Sequence, residues 1–205
     1  MTDNISKKIA QSISNIFNPL IIPTLGFLVI MNQIPGVEFY TDKIKAIIVG
    51  VVFVSTCLLP GLFILLTSMN PEILKFQNQH YERIIPYIFI AFSTFLGAQF
   101  LGKLPLPGIF KLLLIGSSII VTTLALISTR WKISGHTAAI GALLGTLLAL
   151  NLKYSMNFLG MIIALLLMSG VIASSRIYLE KHNPAQVYAG FGLGLLCMFF
   201  LIVII

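Results

Sequence analysis

Long apolar runs separate the charged residues along most of the chain. They occupy residues 17–33, 45–69, 84–101, 109–128, 136–152, 158–174 and 187–205. A helix crosses the ~30 Å hydrocarbon core of a bilayer with about 20 apolar residues, so the last six runs predict transmembrane helices. The first run is short and contains Pro19, Pro23 and Gly26, and it predicts either a seventh span or a re-entrant hairpin.

A different pattern precedes the first run. Ile5, Ile9, Ile13 and Ile16 recur at helical spacing, opposite Lys7, Lys8, Gln11 and Asn15. Such a helix is typical of one that lies in the membrane interface. The sequence therefore predicts an all-α integral membrane protein, a helical bundle of six or seven transmembrane helices. Residues 1–16 are expected to form the interfacial amphipathic helix, and residues 17–205 a single transmembrane domain.

Glycines within the last spans add a prediction about packing. Gly141 and Gly145 lie four residues apart in one run, and Gly190 and Gly194 have the same spacing in another. Small residues at this spacing allow two helices to approach closely in a membrane, so these positions predict helix contacts.

The composition supports this fold class and excludes others. Hydrophobic residues make up 58% of the chain and charged residues 9%, against roughly 45–50% and 25% in soluble domains. A soluble domain, a disordered chain and a nucleic-acid-binding module are therefore excluded. The net charge of +7 suits lipid headgroups and membrane topology, and it indicates a lipid bilayer and no nucleic acid as partner.

The acidic residues restrict the function further. All six of them lie outside the apolar runs. An ion-coupled transporter usually needs an ionisable group near the middle of the bilayer, which argues against that class.

Basic and histidine residues gather on one predicted side of the membrane. If six or seven spans alternate, the loops 70–83, 129–135 and 175–184 share a side, and all three histidines lie in or beside them. These loops and their borders carry His80, His136 and His182, together with Lys75, Arg83, Arg130, Lys132, Arg176 and Lys181. Arginine forks and the backbone N–H groups of a helix start suit a phosphate. Histidine adds nucleophilic attack or proton transfer.

A metal site is the competing use of three histidines. No carboxylate stands at ligand spacing with them, and Cys57 and Cys197 lie in apolar runs. Because zinc sites use such ligands in close sequence spacing, the sequence predicts a metal-independent anion site without a cofactor.

Two motifs at this side carry a resemblance to a known family. The run Ser134-Gly135-His136 is followed two predicted spans later by Ser175-Arg176, and then by His182 after five further residues. They resemble the second and third signatures, PSGH and SRxxxxxHxxxD, of the type-2 phosphatidic acid phosphatase family. Ile133 stands where the second signature has Pro, and Gln186 stands where the third has Asp.

The first signature of that family, KxxxxxxRP, is matched in part. Lys75 precedes Arg83 by one residue more than the signature has, and Pro86 lies two positions late. The glutamine at 186 resembles the dolichyl-diphosphatase branch of the family.

The resemblance implies a role for each matching residue. His182 is implied as the nucleophile that forms a phosphohistidine, and His136 as the acid and base. Arg176 and Arg83 are implied to hold the phosphate, with Gln186 orienting the nucleophile. The substrate-binding residues implied by the match are Lys75, Ser134, Gly135 and Ser175.

The implied function is hydrolysis of a lipid phosphate or diphosphate. Polyprenyl diphosphate is the first expected substrate, followed by phosphatidylglycerol phosphate and lipid A phosphates. Basic residues outside the site divide evenly between the two sides, so the positive-inside rule does not indicate an orientation. The resemblance implies a bacterial cytoplasmic membrane with the site on its extracytoplasmic side. The alternative is a catalytically inactive family member that binds or moves phospholipid through the same anion site.

Overall fold

A computed structural model describes residues 2–31, 33–34, 36–69 and 81–205. These residues form helices and no strands. In chain order the helices are α1 (Thr2–Ile16), α2 (Ile22–Met31), α3 (Asp42–Ser68), α4 (Tyr81–Leu101), α5 (Gly108–Ser128), α6 (Gly135–Tyr154), α7 (Leu159–Tyr178) and α8 (Pro184–Ile204). The all-α fold class predicted from the sequence is confirmed.

Six of these helices are long and apolar enough to cross a membrane, namely α3 to α8. They coincide with the last six apolar runs. The first run instead forms α2, which has ten residues and rises only about 15 Å at 1.5 Å per residue. Within the described residues the chain thus has six candidate spans and one short apolar helix, which places it among multi-pass membrane proteins.

The chain divides into two compact units. One consists of Pro23–Trp131 and contains α3, α4 and α5; the other joins Met1–Ile22 to Lys132–Ile205 and contains α1, α6, α7 and α8.

In the unit Pro23–Trp131, buried hydroxyl groups bond to backbone carbonyls. The hydroxyl of Ser93 donates to the Ser55 carbonyl oxygen at 2.8 Å, and the hydroxyl of Ser118 donates to that of Ala91 at 2.8 Å. Ser55 lies in a π-helical segment of α3, Val54–Leu58, directly before Leu59 and Pro60. Because Pro60 lacks a backbone N–H, a wider turn at this point accommodates it within the helix.

In the other unit, α6 and α8 make a close backbone contact. A Cβ atom added at Gly190 would overlap the carbonyl oxygen of Ser134, and one at Gly194 would overlap that of Ala138. On α6, a Cβ at Gly141 or Gly145 would meet the backbone of α8 in the same way. The packing predicted for these four glycines is confirmed.

The N-terminal helix α1 belongs to this same unit. Ile13 and Phe17 pack against a core cluster of Ile22, Ile140 and Ile172. From residue 5 onward, where the side chains of α1 are described, Ala10 and Ser14 are buried and lie one turn apart, while Ile5, Ile9 and Ile16 are exposed. A helix places residues four apart on one face. One side of α1 therefore faces the protein and an adjacent side presents isoleucines outward.

The glycine contact predicts a large effect for a single methyl group. Gly194→Ala should lower the free energy of unfolding by about 1–3 kcal/mol, because the added Cβ forces α6 and α8 apart. Thermal unfolding of the purified protein in detergent measures this. Gly192→Ala is the matched control on the same helix, since its Cβ would meet no atom within 4 Å. Equal stability of the two variants would contradict the close contact.

Candidate active site

The second predicted motif lies at the start of α6. Ser134 is the N-cap residue, and its side-chain oxygen accepts from the backbone N–H of Thr137 at 3.5 Å. Ser is favoured at this position because it satisfies an N–H group that has no partner within the helix. Gly135 and His136 therefore begin the first turn of α6, where backbone N–H groups point out of the helix.

The third motif begins at the end of α7. Glu180 has a left-handed backbone, with φ of 54°. The N–H of Glu180 donates to the Ile177 carbonyl at 2.9 Å, and the N–H of Lys181 donates to the Arg176 carbonyl at 3.2 Å. This pair of bonds is the Schellman arrangement that ends many helices. The chain thereby turns back, so that the N–H of His182 also reaches the Arg176 carbonyl, at 3.4 Å.

Gln186 orients the ring of His182. The Nδ1 atom of His182 lies 3.1 Å from Oε1 of Gln186, which also accepts from the N–H of Asn183 at 3.3 Å. The Asn183 side chain in turn accepts from the N–H of Gln186 at 2.9 Å, which completes a capping box at the start of α8. Because an amide oxygen only accepts, this contact places the hydrogen on Nδ1 and leaves the lone pair on Nε2.

Ser14 of α1 lies between Arg176 and His136. Its hydroxyl accepts from Nη1 of Arg176 at 2.7 Å. Nε2 of His136 lies 3.2 Å from the Ser14 carbonyl oxygen and 3.4 Å from the Ser14 hydroxyl. A carbonyl oxygen only accepts, so the first of these contacts places a hydrogen on Nε2 of His136.

These contacts form a closed circuit. It runs from the Arg176 backbone to His182, from the His182 ring to Gln186, and from the Gln186 carbonyl to the N–H of Ser134 at 3.2 Å. The chain then leads through Gly135 to His136, and Ser14 closes the circuit back to Arg176. The structure thus brings together His136, Arg176, His182 and Gln186, the four predicted catalytic residues whose side chains it describes.

The two predicted serines use their hydroxyl groups within the protein. The Ser175 hydroxyl donates to the Val171 carbonyl at 2.8 Å, one turn earlier in α7. The Ser134 side chain is fully buried and caps α6. Both residues lie on the circuit or directly beside it, and their contact with a phosphate stays a prediction.

The first motif falls largely outside the described residues. Lys75 and His80 are both outside the residues that the structure describes. Arg83 belongs to the first turn of α4, and its side chain is not among those described. The roles predicted for Lys75 and Arg83 therefore stay predictions.

Ser14 and Asn183 take part in the site but are not among the residues predicted from the sequence. Asn183 precedes Pro184, and Asn followed by Pro is a helix-start signal that identifies a cap from sequence. Ser14 carries no comparable signal, because a serine near the end of an amphipathic helix is most often a surface residue. Only its contacts with residues 122 and 162 positions away reveal it.

The side-chain acceptors that Ser14 and Gln186 contribute to the circuit carry no formal charge. Arg176 supplies a fixed positive charge. Oxygens of Ser14 contact Arg176 and the His136 ring, and Oε1 of Gln186 contacts the His182 ring. Among the residues that the structure describes, no three His, Cys, Asp or Glu side chains group as ligands for a metal ion. The arrangement presents hydrogen-bond donors and a histidine lone pair, which is the chemistry that phosphoryl transfer to histidine requires.

Two histidines and an arginine thus lie together at the helix ends of a multi-pass membrane protein, an arrangement suited to an anionic ligand such as a phosphate. The sequence profile of the PAP2 superfamily matches residues 80–205. The chain therefore belongs to the PAP2 superfamily, whose members are generally phosphatases, a class of hydrolase. This membership supports a phosphatase-type function on lipid phosphates. No curated protein and no solved structure matches the chain.

Proposed function

We propose that this protein is a metal-independent phosphatase that hydrolyses a lipid phosphate or diphosphate through a phosphohistidine intermediate on His182. The observation that carries the proposal is the 3.1 Å contact between Nδ1 of His182 and Oε1 of Gln186. It favours the tautomer with the hydrogen on Nδ1 and the attacking lone pair on Nε2, and it does so without the Asp of the family signature.

In the first step, Nε2 of His182 attacks the phosphorus atom and a P–N bond forms. The bond between phosphorus and the leaving oxygen breaks, and His136, which must carry a hydrogen on both ring nitrogens for this step, transfers its Nε2 hydrogen to that oxygen and becomes neutral. Arg176 and the backbone N–H groups at the start of α6 stabilise the charge on the phosphoryl oxygens. Lys75, Arg83, Ser134 and Ser175 are proposed to supply further bonds to the phosphate.

In the second step, water attacks the phosphohistidine. His136, now with a lone pair on Nε2, takes a proton from the water as the new P–O bond forms. The P–N bond then breaks, which releases inorganic phosphate and restores both histidines.

The proposed substrate has a long lipid tail and a phosphate at the membrane surface. Polyprenyl diphosphate is the first candidate, because Gln186 resembles the dolichyl-diphosphatase branch. Phosphatidylglycerol phosphate and lipid A phosphates are next. The proposed location is the extracytoplasmic side of a bacterial cytoplasmic membrane. Phosphate release by the purified protein from a panel of these lipids tests the reaction and its specificity.

The nucleophile is tested by His182→Ala. This variant should lose at least about four powers of ten in kcat, because removal of a nucleophile leaves only binding and electrostatic contributions. With ³²P-labelled substrate and an alkaline quench, the wild type should retain label on His182 and the variant should not. Glu180→Gln, an isosteric change in the same exposed loop, is the control. More than a few per cent of residual activity in His182→Ala would rule out the mechanism.

The absence of a metal requirement is tested by chelation. Activity should persist in EDTA and be inhibited by vanadate, which adopts the trigonal-bipyramidal geometry of the phosphoryl transition state. Arg176→Ala should weaken vanadate inhibition, because a charged donor to the equatorial oxygens is lost. Strict dependence on an added divalent ion would disprove this part of the proposal and favour a histidine metal site.

The orienting bond is tested at Gln186. Gln186→Leu should lose most activity, because Nδ1 of His182 loses its acceptor. Gln186→Asp should stay active with the acid limb of its rate profile moved to higher pH, since a carboxylate favours the protonated ring, which is unable to attack. An inactive wild type that gains turnover as Gln186→Asp would support the phospholipid-binding alternative. Full activity in Gln186→Leu would contradict the orienting role.

A further inference from the structure

We propose that the C-terminal end of α1 is an internal competitor for the phosphate site: Ser14 and the phosphate of a substrate compete for the same donors on Arg176 and His136. This inference rests on the proposed function for the roles of those two residues. It adds a residue and an element of the chain that none of the three family signatures contains.

Hydrogen-bond donors of Arg176 and His136 both contact Ser14. Nη1 of Arg176 donates to the Ser14 hydroxyl at 2.7 Å, and Nε2 of His136 lies 3.2 Å from the Ser14 carbonyl. The side chain proposed to hold the phosphate and the ring proposed to protonate the leaving oxygen both point at one residue. Its two oxygens take the positions of a phosphoryl oxygen and a leaving oxygen relative to these donors.

The single hydrogen on Nε2 of His136 makes the two occupants mutually exclusive. A ring nitrogen carries at most one hydrogen, in the neutral and in the protonated ring, and the contact with the Ser14 carbonyl uses the hydrogen on Nε2. The same hydrogen cannot bond well to a leaving oxygen at the same time. Ser14 is only 3% exposed, so α1 must shift before a phosphate reaches this hydrogen.

The C-terminal end of α1 carries partial negative charge, which favours its contact with the cationic side chain of Arg176. The last four carbonyl groups of a helix lack a partner within it, and the C-terminus carries a partial negative charge of about half an electron. Ser14 lies in this last turn, since α1 ends at Ile16. A helix C-terminus therefore imitates an anion weakly, and a phosphate with its full charge is the stronger ligand.

The outer faces of α1 allow it to shift while it stays at the membrane. Ile5, Ile9 and Ile16 are exposed and form an apolar stripe, while Lys7 and Lys8 are exposed beside it. Such a helix keeps contact with a lipid surface when its protein-facing side separates from the site.

Vanadate titration of the purified full-length protein in detergent tests the competition directly. Ser14→Ala should bind vanadate about three- to tenfold more tightly, because the competing hydroxyl is lost. Ser14→Asp should bind it at least about tenfold more weakly, since its carboxylate pairs with Arg176. Ser12→Ala and Ser12→Asp are matched controls on the exposed side of the same helix, and they should stay within about twofold of the wild type.

Each other result of the titration overturns the proposal. Weaker vanadate binding by Ser14→Ala, together with a lower kcat, would make Ser14 a positioning residue for Arg176. Equal affinity in Ser14→Ala and wild type would show that α1 does not compete. An equal loss of affinity in Ser14→Asp and Ser12→Asp would assign the effect to general charge.

Hydrogen–deuterium exchange of the wild type tests the same proposal without any substitution. Saturating vanadate should raise the exchange of amides 12–18 while it protects amides around His182. Unchanged or lowered exchange in 12–18 would overturn the competition. Both experiments are independent of turnover: a wild type that hydrolyses no lipid phosphate while vanadate still displaces α1 would refute the proposed function alone.

Discussion

The backbone of α8 lies directly against the backbone of α6, at Gly190 beside Ser134 and at Gly194 beside Ala138. Side chains at these glycines would hold the two helix starts apart by at least the thickness of a methyl group. Because the helices touch, the carbonyl of Gln186 reaches the N–H of Ser134. That bond places the loop carrying His182 beside the helix start carrying His136, and the rest of the site depends on it.

Helix ends supply most of the polar groups of the site. The Schellman turn after α7 returns the chain to the Arg176 carbonyl, the Asn183 capping box starts α8, and the Ser134 cap starts α6. In an apolar bundle, unpaired backbone groups are costly, so these ends need local partners. The same bonds that satisfy the backbone hold His182, Gln186 and His136 in fixed positions. Stability and orientation of the site thus share one set of contacts.

Two residues that contact the histidines and Arg176, Ser14 and Gln186, present acceptors without a formal charge. Gln186 presents an amide oxygen to His182, and Ser14 presents a hydroxyl and a carbonyl to Arg176 and His136. A neutral acceptor orients a ring without neutralising the arginine beside it. An amide or hydroxyl oxygen at these positions competes with an anionic ligand less strongly than a carboxylate would.

The sequence by itself determined the fold class, the last six spans of a predicted six or seven, the glycine contact and the motif residues, because hydrophobic length and short-range spacing are local properties. Ser134, Arg176 and His182 were recognisable from their spacing within single loops. The tertiary structure alone decided that α2 has ten residues and that Ser14 lies between Arg176 and His136. A hydrogen bond between residues 162 positions apart depends on how α1 packs against the end of α7, and no local pattern encodes it.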